Sequence, residues 1–232
     1  MSLPLVILSA LFGAAAGAFV PRVAHRLAVP FGAPSRSSCA DCAGPFPAGS
    51  PGWVRAGPAC RCDTGWWRTV LGSAVASAVT AAALGPRRIL PVLLMAVVLG
   101  VLLARIDLRC LRLPDPLVAS LGLLVAVPVA VAAPQRLPAA LLGAAVFGAA
   151  YLTPAVLSRG GLGLGDVKLA VVLGFLLGFL GRPAALAGLL VPPLLNGPIA
   201  LYLLATRRIG PGTGLPFGPA LLLGALAGVT AT

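Results

Sequence analysis

Glutamate is absent from these 232 residues, and lysine and histidine occur once each, as Lys168 and His25. Charged residues of either sign make up only 9% of the chain, against about 25% in ordinary soluble domains, so a soluble globular protein is excluded. The lack of polar composition also excludes a disordered chain, which needs low hydrophobicity. With no glutamate, any carboxylate chemistry must be drawn from five aspartates: Asp41, Asp63, Asp107, Asp115 and Asp166. No repeat, no heptad pattern and no matched pair of broken segments in two halves stands out, so the symmetry of many transporters is missing.

What is present is apolar. Hydrophobic residues make up 59% and the mean hydropathy is +1.03. Runs long enough to cross a bilayer fall at roughly 3–20, 69–85, 89–106, 116–133, 137–157, 166–181, 183–206 and 216–231. The expectation is an all-α, polytopic membrane helix bundle of about eight transmembrane helices, with one cysteine-containing cytoplasmic loop. Residues 1–68 would form the first span and that loop, and 69–232 a membrane-embedded domain.

Sixteen of the seventeen basic residues are arginine, which suggests a GC-rich bacterial genome. A net charge of +12 could point to nucleic acid, but in a membrane chain basic loops report topology, so no nucleic-acid partner is expected. Thirteen of the seventeen basic residues fall in loops after odd-numbered spans. The positive-inside rule then places both termini outside and these loops, including 21–68, in the cytoplasm.

Asp41 and Asp63 lie in the polar loop, where they cost little. Asp107, Asp115 and Asp166 lie at the ends of apolar runs, where a carboxylate is expensive and therefore a functional candidate. A bland reading also exists for each. Asp107 could pair with Arg105 or Arg109, Asp115 could cap the helix opened by Pro116, and Asp166 could close the glycine-rich loop Gly160-Gly161-Leu162-Gly163-Leu164-Gly165. That loop is no dinucleotide fingerprint, because no strand precedes it and no βαβ unit surrounds it. Asp107 and Asp166 both fall on the cytoplasmic face by the arginine count. Two converging carboxylates can share one proton, so that one acts as base toward water while the other polarises a carbonyl. The chemistry this suggests is aspartyl peptide hydrolysis at the inner surface. Two other classes stay open: a small transporter with proton- or cation-coupling aspartates, and a non-enzymatic membrane assembly factor.

The same segments resemble the type IV prepilin peptidases, bacterial aspartic proteases of the membrane. The resemblance is carried by Ile106-Asp107-Leu108 with Leu113-Pro114-Asp115, by Gly163-Leu164-Gly165-Asp166-Val167-Lys168, and by Leu215-Pro216-Phe217-Gly218-Pro219. Gly17-Ala18-Phe19-Val20 with His25-Arg26-Leu27 is similar to the family's N-terminal segment. It implies Asp107 and Asp166 as the catalytic pair, with Asp115, Gly163, Gly165 and Lys168 in support. It also implies prepilin or pseudopilin precursors as substrates, a bilayer of the bacterial cytoplasmic membrane, and no cofactor for proteolysis. Longer family members also N-methylate the new N-terminus with S-adenosylmethionine. Here Pro21 replaces the family's asparagine, and Gly65-Trp66-Trp67-Arg68 stands where an acid is expected, which weighs against that second activity.

Cys39-x-x-Cys42 and Cys60-x-Cys62 together have the makings of a four-thiolate zinc site, although the second pair is one residue shorter than usual. Cys110 and His25 are expected to lie outside it, His25 as a loop residue.

Overall fold

A bilayer interior offers no hydrogen bonds, so backbone crossing it must satisfy itself within helices. The computed structural model, which describes residues 2–30, 32–157, 162–208 and 215–232, is all-helical, with no strand among the described residues. Among the described residues nine α-helices follow in order: α1 Leu3–Gly17, α2 Val20–Leu27, α3 Trp66–Leu84, α4 Leu90–Cys110, α5 Asp115–Ala132, α6 Leu137–Leu157, α7 Leu164–Leu180, α8 Arg182–Ala205 and α9 Gly218–Thr230. Each expected apolar run coincides with a helix. Helices α3, α4, α5, α6 and α8 are long and apolar enough to cross a membrane, and α1 with α2 makes a sixth if that bent pair counts as one span. The chain is a membrane protein.

The first run differs from its expected form. Its helix ends at Gly17, and the chain then turns by 41° into α2, a helix where the polar loop was expected to begin, which carries His25, Arg22 and Arg26. Pro21 sits in the first turn of α2, where its missing N–H costs nothing and its fixed φ starts a new helix.

The chain forms two compact units, Met1–Arg112 and Leu113–Thr232. In the first, α1 packs on α3 through small residues. A Cβ placed on Gly13 or Gly17 would strike Ser73, and at Gly13 also Ser77. Ser73 and Ser77 are fully buried. Close backbone approach of this kind replaces the hydrophobic effect, which does not separate helix from lipid tail inside a bilayer.

The second unit uses the same device between α6 and α7, where Gly143 faces the backbone of Gly174 and Gly178. Helix α8 contains Pro192, Pro193 and Pro198. Pro193 cannot donate to the carbonyl of Leu189 four residues earlier, and the Tyr151 hydroxyl donates to that oxygen instead, at 3.1 Å. Tyr151 also meets the ring of Phe217 edge-on, with centroids 5.8 Å apart. Phe217 thereby gains a structural role at the entry to α9.

The α6–α7 contact has a direct test. Gly143→Ala should cost about 1–3 kcal/mol, read as a lower thermal midpoint in detergent. Gly72→Ala, where nothing lies within 4 Å of the added carbon, should leave the midpoint unchanged or slightly raised.

Candidate functional site

Residues 28–65 form a long connection between α2 and α3, and its folding centres on cysteine. Cys39 and Cys42 sit on a tight turn. The N–H of Cys39 donates to Gly44 O at 2.9 Å and that of Ala43 to Cys39 O at 3.1 Å, next to an isolated bridge between Ser38 and Pro45. Cys60 and Cys62 sit on a second turn, closed by the Asp63 N–H on Cys60 O at 3.1 Å. The four sulfurs lie within 4.8 Å of one another, with Cys60 and Cys62 at 2.8 Å, Cys39 and Cys60 at 3.2 Å, and Cys39 and Cys62 at 3.3 Å.

A tetrahedron with metal–sulfur bonds of about 2.3 Å has edges of about 3.8 Å, within reach of this cluster, so the four cysteines could hold a metal ion. The short Cys60-x-Cys62 spacing does not prevent convergence. Burial pushes the Cys39 thiol up, but the backbone N–H groups of Cys42 and Asp41 and the neighbouring thiols outweigh it and bring it down to about 6. Burial pushes the Cys60 thiol up, and the hydrogen bonds from Cys60 and Cys39 push Cys62 the same way. Cys110 lies outside the cluster, its thiol donating to Ile106 O at 3.3 Å.

Asp63 departs from its expected role as an inexpensive loop acid. It is buried, with 6% of its surface exposed. Its Oδ1 takes Arg105 Nη2 at 3.2 Å and lies 3.9 Å from Arg109 Nη2. Its Oδ2 accepts the Ala59 N–H at 3.3 Å and lies 3.5 Å from His25 Nε2. Burial alone would raise its pKa, but His25, the Ala59 N–H and Arg105 together hold it at about 2. His25 is a buried helical residue rather than a loop residue. Around this centre α2 grips the connection. Arg26 donates to Pro47 O at 3.0 Å and lies over the rings of Trp53 and Phe46, while Arg112, just past α4, donates to Pro30 O at 2.8 Å.

Asp63 sits beside the second cysteine pair, 42 residues from Arg105. One signal in the sequence could have exposed it. Five acids face seventeen bases, so arginines near a helix end draw in whatever carboxylate is within reach, including one from a loop.

Asp107 lies in the last turns of α4 and is 3% exposed. Arg105 and Arg109, at i and i+4, share one face of the helix, whereas i and i+2 do not face each other. Their ion pairs run to Asp63. The helix then ends on Leu111, whose left-handed backbone (φ 51°) brings its N–H to Asp107 O at 2.8 Å.

Asp166 is the third residue of α7, also buried at 8% exposure. Its Oδ2 accepts the Gly163 N–H at 3.3 Å, near the positive end of the helix dipole. Gly163 is extended (φ −75°). Gly165 serves a close approach, because a Cβ there would press on Leu113. Gly160 and Gly161, like Arg159, lie outside the described residues.

Asp115 stands in the first turn of α5, directly after the N-cap Pro114, and pairs with Lys168 at 2.8 Å. Lys168 therefore ties the first turn of α7 to that of α5. Asp107 belongs to the first unit; Asp115, Asp166 and Lys168 belong to the second.

A helical membrane protein with buried carboxylates in the end turns of two helices has the makings of a membrane hydrolase. The sequence model described as the type IV leader peptidase family matches residues 94–205, just under half of the chain. The resemblance to the type IV prepilin peptidases read from the motifs is thereby shown, and the match supports a leader-peptidase-like protease. Both aspartate motifs and Lys168 fall inside the matched stretch, while the cysteine connection and Phe217 fall outside it. No curated protein and no solved structure matches the chain.

The Lys168–Asp115 pair is more than half exposed on both sides, so its worth is that of a surface ion pair, about 0–1 kcal/mol. Asp115→Asn and Lys168→Gln should each shift the thermal midpoint in detergent by no more than this, and the double variant should cost no more than either alone.

Proposed function

We propose that this chain is an aspartic endopeptidase of the bacterial cytoplasmic membrane that removes the short basic leader of prepilin or pseudopilin precursors. Asp107 and Asp166 would be its catalytic pair, supported by Asp115, Gly163, Gly165 and Lys168. The observation that carries the reading is the burial of both carboxylates, 3% and 8% exposed, at the two motif positions inside the matched stretch. Buried acids are costly in a membrane protein and are retained where they work.

The chemistry follows from sharing a proton. The ionised carboxylate takes a proton from water, whose oxygen attacks the scissile carbonyl. The protonated partner donates a hydrogen bond to that carbonyl oxygen as it becomes tetrahedral. Collapse expels the new N-terminal amine, which takes up the proton. Proteolysis by this route needs no cofactor.

The arginine distribution supports cutting at the cytoplasmic face, with both termini outside. Counting the 17-residue α7 and the 13-residue α9 as spans gives eight crossings. In this division, 1–68 provides the first span and the cysteine connection, and 69–232 the peptidase domain. Cys39, Cys42, Cys60 and Cys62 would hold structural zinc, which supplies folding free energy to the connection and takes no part in hydrolysis. S-adenosylmethionine would enter only through methylation of the new N-terminus, against which Pro21 and the run Gly65-Trp66-Trp67-Arg68 speak.

With expression matched, the wild type should cleave a co-expressed prepilin, while Asp107→Asn and Asp166→Asn should leave it uncut. Cleavage by either variant would remove that aspartate from the mechanism, and a transporter or assembly factor would cleave in no form. Elemental analysis of purified protein should find about one zinc per chain, lost in Cys39→Ser; a metal content independent of Cys39 would refute the zinc assignment.

A further inference from the structure

A carboxylate has two oxygens with two lone pairs each and can join several elements at once. Asp63 does so inside the first unit. Its Oδ2 accepts the Ala59 N–H and so closes the turn that presents Cys60 and Cys62. The same oxygen faces His25 on α2. Its Oδ1 meets Arg105 and Arg109 on one face of α4, in the turns that also contain Asp107. One buried side chain thus joins the cysteine turn, α2 and the end of α4.

We propose that Asp63 is a positioning residue that couples metal loading of the four-cysteine cluster to the Asp107 end of α4. The coupling is mechanical. Residues 59–63 form a turn whose two cysteines are pulled together by the metal, and Cys62 is bonded directly to Asp63 in the chain. Without the metal the turn is one part of a long connection, and holding Asp63 against two guanidinium groups then costs the entropy of closing that connection. With the metal in place that entropy is already spent, and Asp63 holds Arg105 and Arg109 in one arrangement. The end of α4 is fixed from one side by this pair of contacts and from another by Arg112 on Val29 O and Pro30 O. Catalysis by aspartates requires placement to a fraction of an ångström, and a misplacement of about 1 Å can cost 100-fold.

This rests on Asp107 being catalytic. It assigns Asp63 no contact with substrate.

The test uses the full-length protein in nanodiscs, zinc-loaded or stripped with a high-affinity chelator, acting on a purified prepilin. Stripping the wild type should lower kcat about tenfold with KM nearly unchanged. Zinc-loaded Asp63→Asn should show the same fall while keeping its metal, and stripping it should lower kcat no further, because both changes cut one connection. Asp63→Glu, which keeps the charge, should recover part of the loss. Trypsin cleavage after Arg55, which is exposed, should accelerate in stripped wild type and in loaded Asp63→Asn alike. If Asp63→Asn fails to fold or to retain zinc, Arg105→Gln/Arg109→Gln asks the same question from α4 with the cysteine turn intact. It should reproduce the fall in kcat and its insensitivity to stripping.

Losses that multiply, or a kcat indifferent to the metal, would overturn the coupling. Cleavage surviving in Asp107→Asn would instead overturn the catalytic assignment, so the two failures are distinguishable.

Discussion

Inside hydrocarbon a polar group without a partner costs several kcal/mol, and most of this fold follows from that constraint. Backbone is helical wherever it is apolar. Where Pro193 deprives Leu189 of its donor, a tyrosine hydroxyl reaches across from α6 to supply one. Helices touch through Gly13, Gly17, Gly143, Gly174 and Gly178, because contact between backbones is what a lipid tail cannot imitate. The acids that remain near the membrane, Asp107, Asp115 and Asp166, stand in the end turns of helices, where backbone N–H groups, a lysine or water can reach them.

The connection between α2 and α3 obeys a different economy. It has little apolar material to bury, and its ordered centre is a group of four cysteines with Phe46 and Ala59 packed against Cys39. Its surroundings are strongly basic, and Asp63 is the buried carboxylate that gathers three of those bases, the buried His25 and the partly exposed Arg105 and Arg109. A buried ion group is seldom a large net source of stability, but removing one partner leaves the others uncompensated. For that reason Asp63 specifies how this connection seats on α2 and α4 more than it stabilises the whole.

Much of this was legible in the sequence. Apolar runs located the helices, the scarcity of acids singled out Asp107, Asp115 and Asp166, and two cysteine pairs announced a thiolate cluster. What escaped was three-dimensional pairing. Neighbours in sequence suggested Arg105 and Arg109 as partners for Asp107, yet helical geometry puts those arginines on a common face, and the acid that meets them comes from 42 residues away. Lys168 and Asp115, both read as supporting residues, pair with each other across 53 residues. The helix α2 escaped because its eight residues, with Arg22, His25 and Arg26 among them, read as the start of the polar loop.

If Asp107 and Asp166 work as the proposed catalytic pair, they approach each other in the folded protein, and proximity can be tested without any substrate. In a Cys110→Ser background with the four-cysteine cluster zinc-loaded, Asp107→Cys/Asp166→Cys should form a disulfide rapidly under mild oxidation in nanodiscs. Asp107→Cys combined with Leu180→Cys, at the far end of α7, should form none. Failure of the 107–166 pair to cross-link in a folded protein would contradict a shared catalytic site.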